Sequence, residues 1–350
     1  MKIDIYTHIV PRKYWEAVIK KVGYATLEKY APGRVLSVES TQTLWNLEKR
    51  FEIMDRYDGL IHVLTPSGPS LELVSQPSDT IHLARLYNDE MAELVTKYGD
   101  RFLAAVACLP MNDVDAALEE IDRTVKELGF KGILMNTPLY VNGVRATKPI
   151  DLPEFMPIYE LMMGYGLPIW IHPAGEVLAP DYLTEDRSKY MIFQCFGWPH
   201  DTTVAMARLV YSGILEKYPH LKVITHHCGA MIPYLSDRIK GSCEWYETCL
   251  KSKFTKKLGR SPLEYFKRFY NDTALYGNTP ALMCARAFFG AGHLLFGTDF
   301  PYDSELGNRY TMDTIHAIEL MDIPDSERQM IFESNARTLL DLHNRQEPKT

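Results

Sequence analysis

Residues 167–173 read LPIWIHP. Apolar side chains occupy both parities of this run, as they do in a strand covered on both faces, and a histidine stands at its end. Seven other runs share that character: KIDIY (2–6), DGLIHVLTP (58–66), RFLAAVACLP (101–110), FKGILMN (130–136), LKVITHHCG (221–229), RFYNDT (268–273) and HLLFGTDFP (293–301). Segments of helical period separate them. Leu83, Leu86, Tyr87, Met91 and Leu94 make one stripe across residues 80–98. Asp113 is placed to cap a helix through Ala117, Leu118, Ile121 and Val125 that ends at Gly129. Asp201 or Thr202 is placed to cap another, through Leu209, Val210 and Leu215. Strand and helix alternating eight times predict an α/β protein whose parallel sheet closes into a (β/α)8 TIM barrel.

The 350 residues, 46% of them hydrophobic, suffice for one such barrel, and a single domain over residues 1–350 is expected. Residues 11–44 and 174–200 are too long for plain connectors. They read as inserted βα loops, which in barrels build a substrate pocket or a subunit contact. The formal net charge of −7 argues against nucleic acid or an anionic membrane as partner. Six cysteines without a CxxC pair suit a reducing, cytoplasmic setting, and the opening MKIDIYTHIVP is too polar for a signal peptide. No apolar run approaches the roughly 20 residues of a membrane span.

Four polar residues stand at strand ends, where barrel enzymes hold their chemistry: His8, His172, His227 and Asp299. Burying such groups is costly without a partner or an ion, and imidazoles with a carboxylate suit Zn first, with Mn, Fe and Co as alternatives. Alternation along a strand puts Asp4, Tyr6 and His8 on one face. In the sixth run it groups Val223, Thr225 and His227 and turns His226 the other way. On that basis His227 is assigned the functional place and His226 a structural one.

The ordered set of motifs resembles the amidohydrolase superfamily, and within it the branch of aminocarboxymuconate-semialdehyde decarboxylase and related aromatic acid decarboxylases. DIYTHIVP is similar to the family's opening DIHxHxxP, LPIWIHP to its LxxxxHP, and LLFGTDFPY to its GSDxP. FGWPHDTTVAMARLVYSGILEKYPHLKVITHHCGAMIPYLSDRI resembles its longest signature, and SNARTLLDL its closing NAxxLL. The resemblance implies His8, His172 and Asp299 as ligands of one divalent metal, with Asp299 also handling a proton. It implies His227 as the neighbouring non-ligand histidine, Arg50 as the grip on a substrate carboxylate, and Arg238 as a group reaching a neighbouring subunit's site. It also implies a homodimer, for which the insertion around 180–200 is a candidate contact. One position departs from the pattern. Where the family has His-x-His or Glu-x-His, this chain has Tyr6-Thr7-His8. Tyr6 is then either a phenolate ligand or a hydrogen bonder beside a three-ligand metal.

The expected reaction is metal-dependent, non-oxidative decarboxylation of a small aromatic or unsaturated carboxylic acid. Asp299 or His227 would protonate the carbon that loses CO2, and Trp198, Phe196, Phe300 and Tyr302 would sandwich a flat ring. A mononuclear hydrolase or hydratase needs nearly the same residues and is the alternative; a metal-free barrel with a binding role is the third reading. A binuclear hydrolase is disfavoured, because Lys131 lies at the beginning of its strand and not at the mouth.

Overall fold

The computed structural model describes residues 1–140 and 147–342. The expected domain, residues 1–350, therefore extends at 141–146 and 343–350 onto residues outside those described. The first strand (Lys2–Ile9) pairs in parallel with the second (Leu60–Pro66), and the second with the third (Phe102–Ala105). The fourth (Ile133–Thr137), fifth (Ile169–Pro173), sixth (Val223–Thr225) and seventh (Tyr270–Asn271) follow in parallel. Isolated parallel bridges join the arcs: Ala107 with Ile133, Asn271 with Leu294, and Phe300 with Thr7. The eighth segment, 294–300, thus returns to the first strand, and the chain is a closed TIM barrel. That segment makes isolated bridges at its two ends, and its middle, where the Phe296 carbonyl accepts the Ile5 N–H at 3.0 Å, passes very close to its neighbours. A Cβ on Gly297 would lie 2.9 Å from the Asp272 Cβ and 3.3 Å from the Tyr6 Cβ.

Ile3, Ile5, Ile61, Val63, Leu103, Leu134, Trp170, Ile224 and Leu295 fill the barrel interior. Ala336 and Leu339 of the last helix (Asn335–Leu339), with Leu340 and Leu342 just beyond it, join that cluster. A larger apolar layer lies between strands and helices, including Leu64, Met135, Ile171 and Val223 from the strands and Leu83, Tyr87, Ile121 and Leu209 from the helices. The expected helices form at Pro77–Lys97 and Val114–Lys126, and the Asp113 carboxylate accepts the Ala116 N–H at 3.0 Å as a cap. The third differs from expectation. It begins at Trp198, running on from a π-helical turn at Phe193–Gly197, so Asp201 and Thr202 sit inside its first turns and cap nothing. Gly213, at φ 85°, breaks it before Leu215. The insertion at 11–44 holds three helices, Arg12–Val22, Tyr24–Tyr30 and Arg34–Ser40. Lys131 donates to the Asp341 carbonyl at 3.2 Å, at the strand-start end of the barrel and away from the mouth.

Candidate metal centre and active site

The site begins with an irregularity in the first strand. Its register against the second strand shifts between Asp4 and Thr7. Ile3 and Ile5 pack inside the barrel, which turns Asp4 outward, and the shift brings Tyr6 and His8 back inside. Asp4 therefore does not share a face with Tyr6 and His8, contrary to simple alternation. It accepts hydrogen bonds from the Tyr6 and Thr298 N–H groups at 3.2 and 3.1 Å and pairs with the Thr298 hydroxyl at 2.5 Å.

His8 carries its tautomer in its surroundings. Its Nδ1 faces the Pro66 carbonyl at 3.0 Å and must donate there, leaving Nε2 with a lone pair. That Nε2 is buried, lacks a hydrogen-bond partner, and lies 3.2 Å from Asp299 Oδ1. His172 stands perpendicular to His8, with ring centroids 5.1 Å apart.

The sixth strand corrects the assignment of its two histidines. Val223 packs outward and Ile224 inward, so the inward parity belongs to His226. His226 Nδ1 bonds the Asp272 carboxylate, and its Nε2 lies 3.4 Å from Asp299 Oδ1. Its ring stacks on Tyr6 at 4.0 Å and lies 5.2 Å from that of His172. His226 is thus at the centre of the cluster and is not a peripheral packing residue. His227 also reaches the site, by a different route. Left-handed φ values of 54° at His227 and Cys228 fold the chain back, and the two histidine rings sit 3.8 Å apart. Ligand atoms of His8, His172 and His226 lie within 4.8 Å of one another, as do those of His226, His227 and Asp299. Three imidazoles and a carboxylate aimed at one place, with one imidazole nitrogen orphaned, fit a divalent cation.

Tyr6 does not offer its oxygen to this cluster. Its hydroxyl donates to the Ile171 carbonyl at 3.2 Å, and burial, then Asp272, pushes its pKa well above the usual phenol value. This geometry supports the hydrogen-bonding alternative for Tyr6 over a phenolate ligand.

Charge in the cluster is unevenly held. Burial opposes ionisation of Asp299, but His226, followed by His8, outweighs it and holds the carboxyl well below its usual range. Burial likewise disfavours the His226 cation, yet Asp272 and Asp299 raise its pKa to about 9. His227 is pushed down to about 3, by burial and then His226. The two Asp299 oxygens have separate surroundings. Oδ1 faces His8 and His226, while Oδ2 accepts the Tyr276 hydroxyl at 2.9 Å. The same hydroxyl is 3.5 Å from His227 Nε2. His227, Asp299 and Tyr276 all hold left-handed φ, at 54°, 66° and 52°, so backbone strain gathers around this hydrogen-bonded group.

A cavity of about 350 Å³ opens beside His172 and Asp299. Trp198 lines it, with its ring 6.3 Å from that of His172 and its Nε1 donating to the Gly175 carbonyl at 2.8 Å. Tyr302 also lines it, hydrogen-bonded to the Ser67 hydroxyl. Four other expected contacts fall elsewhere. Phe300 is fully buried against Arg50 and His62, on the outer side of the barrel wall. Arg50 is fully buried too and does not line the cavity; its Nη1 donates to the His8 carbonyl at 2.7 Å and its Nη2 to His62 Nδ1 at 3.1 Å. The reason is its position on the inner face of the helix Leu47–Met54, which packs Arg50 onto the strands below the mouth. Phe196 is exposed, as is Arg238 on the helix Ser236–Cys249, and neither lines this chain's cavity.

The cation that does line the cavity is Arg34, the only Lys or Arg among its described lining residues. It pairs with the buried Glu176 at 3.2 Å and lies 5.5 Å over the Trp198 ring. Sequence reading missed Arg34, Glu176, His226, Asp272 and Tyr276. Asp272 had a signal: it ends YND as Asp299 ends FGTD.

Residues 4–342 match the amidohydrolase family. The chain is 30% identical to gamma-resorcylate decarboxylase of Polaromonas sp. (strain JS666) over 302 residues, covering 85% of this chain and 87% of that protein. It is similar to the crystal structure of 2,6-dihydroxybenzoate decarboxylase complexed with 2,6-dihydroxybenzoate, with a TM-score of 0.81, 27% identity, and coverage of 97% and 99%. It also resembles the Polaromonas dihydroxybenzoic acid decarboxylase with bound manganese and the inhibitor 2-nitroresorcinol, with a TM-score of 0.79, 26% identity, and coverage of 98% of each chain.

Proposed function

This chain belongs to the amidohydrolase family, in its branch of aromatic acid decarboxylases, and from that premise we propose that it removes CO2 from a small aromatic carboxylic acid in a metal-dependent, non-oxidative reaction. The observation that carries this reading is the cluster of His8, His172, His226 and Asp299, of which His172 and Asp299 line a cavity walled by Trp198 and Tyr302. At about 350 Å³ the cavity is at the small end of the roughly 300–1,000 Å³ usual for ligand sites, which suits a single substituted ring. Zinc is our first choice for the metal, on the ground of its imidazole donors; manganese, bound by a relative, is the alternative. When bound, the cation supplies positive charge that holds the carboxylate and a neighbouring oxygen of the substrate.

The chain's own groups do the rest. Arg34 presents a cation to the outer part of the ring, with Trp198 beneath it. Asp299 is ionised at rest; its Oδ2 takes a proton relayed from solvent through the Tyr276 hydroxyl that donates to it, and passes that proton to the carbon that loses CO2. Tyr276 is half-exposed and links this oxygen to solvent. Neutral His227 accepts or returns the proton of Tyr276 Oη.

We take residues 1–350 as one barrel domain, with 11–44 and 174–200 as pocket-building insertions. We further assign a homodimer, supported by exposed Tyr182, Leu183, Tyr190 and Phe196 in the second insertion and by Tyr234 and Trp245 beyond it. No described helix is long and apolar enough to cross a membrane, and six free cysteines support a cytoplasmic setting. Incubating the metal-loaded protein with 2,6-dihydroxybenzoate, other hydroxybenzoates and muconate-type acids should release CO2 from at least one. Turnover of esters or lactones, with no acid decarboxylated, would overturn the assignment.

A further inference from the structure

The first strand of this chain lacks one expected donor, since Tyr6 stands where the family pattern has His or Glu, and its hydroxyl is spent on the Ile171 carbonyl. We propose that His226, from the sixth strand, supplies the missing ligand, so that this chain holds its metal through His8, His172, His226 and Asp299. The inference rests on the reading of the cluster as a metal centre and concerns which residues build it.

Distance is the first support. Donors about 2.0–2.1 Å from zinc at a tetrahedral angle lie about 3.3 Å apart. Asp299 Oδ1 is 3.2 Å from His8 Nε2 and 3.4 Å from His226 Nε2. Both approaches are ion-pair distances to Asp299, and they also match the spacing that donors sharing one cation keep. His226 also belongs to both ligand-distance groups of the cluster, whereas His227 belongs to one.

The surroundings of His226 are the second support. Metal-binding histidines typically give their other ring nitrogen to a carboxylate or carbonyl, which sets the tautomer and the ring orientation. His226 Nδ1 bonds Asp272 Oδ2. The other Asp272 oxygen accepts the Cys228 and Ala274 N–H groups at 2.9 and 3.0 Å, so the carboxylate is itself fixed. His8 has the matching arrangement through Pro66. His227 has none: its Nδ1 is buried without a partner.

Tyr6 and His226 then read as one linked exchange. The Tyr6 ring lies at 13° to the His226 ring with centroids 4.0 Å apart. It occupies the space that a first-strand ligand would use and forms a flat wall against which His226 is set. Tyr6 is a positioning residue for the new ligand.

Chelator-stripped wild type, His226→Gln, His227→Gln, Asp272→Asn and Tyr6→Phe should be titrated with zinc and with cobalt(II), without substrate. Binding is followed by calorimetry and by the cobalt d–d absorption. His226→Gln should lose more than roughly 100-fold in affinity and shift the cobalt bands, and Asp272→Asn should lose about 10–100-fold. His227→Gln and Tyr6→Phe should stay near wild type. Wild-type affinity and an unchanged cobalt spectrum in His226→Gln would overturn the proposal, as would loss of metal in Tyr6→Phe with retention in His226→Gln. Circular dichroism of each stripped protein separates metal loss from unfolding. A wild type that binds no metal would defeat the metal centre as a whole. A metal-binding wild type that decarboxylates nothing would defeat only the proposed reaction.

Discussion

Replacing Arg50 by Met separates a substrate-gripping arginine from a structural one. The guanidinium is completely buried and sits between the Phe300 and Phe102 rings, 4.7 and 5.5 Å from their centroids. Methionine fills much of that apolar space but donates nothing. The His8 carbonyl and His62 Nδ1 then lose their 2.7 and 3.1 Å partners. A buried acceptor left unpaired costs about 1–3 kcal/mol, and relief from burying a charge offsets part of two such losses, so about 3 kcal/mol is expected. At about 2.1 cal/mol/K of unfolding entropy per residue, 350 residues give about 0.7 kcal/mol/K, and Tm should fall by about 4 °C. The penalty should also grow with pH. Burial raises the Asp4 pKa to about 7, and the charge of Arg50 already offsets part of that rise. A carboxyl with a raised folded pKa keeps its proton in the folded state. Its contribution is therefore most favourable below the unfolded value near 4 and is lost as pH climbs through 7. Without Arg50 the folded pKa rises further, so Arg50→Met should cost more at pH 8 than at pH 6. Differential scanning calorimetry at both values, with steady-state kinetics on the best acid substrate, provides the readout. KM should move by less than about twofold. An unchanged Tm with KM raised tenfold would refute the structural role and restore the carboxylate grip.

Arg34→Ala should do the opposite, raising KM roughly 10-fold or more while leaving the fold intact, because it removes the one Lys or Arg among the described residues lining the cavity. Kinetics on acids with and without a polar group remote from the carboxylate will show it; equal KM values in the two proteins would count against Arg34. Tyr276→Phe deletes the hydroxyl 2.9 Å from Asp299 Oδ2 and should lower kcat about 10–100-fold with metal content unchanged. A normal kcat would remove Tyr276 from the proton path.

The barrel was legible because burial on both faces leaves a strong mark: eight apolar runs needed no partner information to be placed. Its eighth run was harder to foresee in detail. HLLFGTDFP has the composition of a strand, yet its bridges are isolated ones, at Leu294 and Phe300, and its middle, at Gly297, passes close to Tyr6 and Asp272. The pocket arginine was not legible at all. Arg50 sits on a helix with a plausible charge pattern, and only packing shows that it faces the His8 carbonyl and not the cavity. Arg34 lies in the insertion, where no periodicity marks which side chains turn inward.

The misassigned histidine has a physical cause that bears on the chemistry. Alternation predicts facing only while the backbone stays extended, and the sixth strand ends at Thr225. Two residues later the chain is left-handed, which returns His227 to the side that His226 already occupies. A strict strand would have placed one imidazole inside; the turn places two. Left-handed backbone in residues other than glycine costs about 1–3 kcal/mol each and persists only where surrounding contacts enforce it. Here Asp272 enforces it, by accepting the Cys228 N–H with one oxygen while holding His226 with the other. The same carboxylate thus orients a ligand and stabilises the turn that presents His227 to Tyr276. Burial, and then His226, pushes His227 to about 3, whereas Asp272 and Asp299 lift His226 to about 9 against burial, so a cation bound at His226 Nε2 displaces a proton. A metal-holding imidazole and a neutral proton-handling imidazole are then set side by side by one buried aspartate.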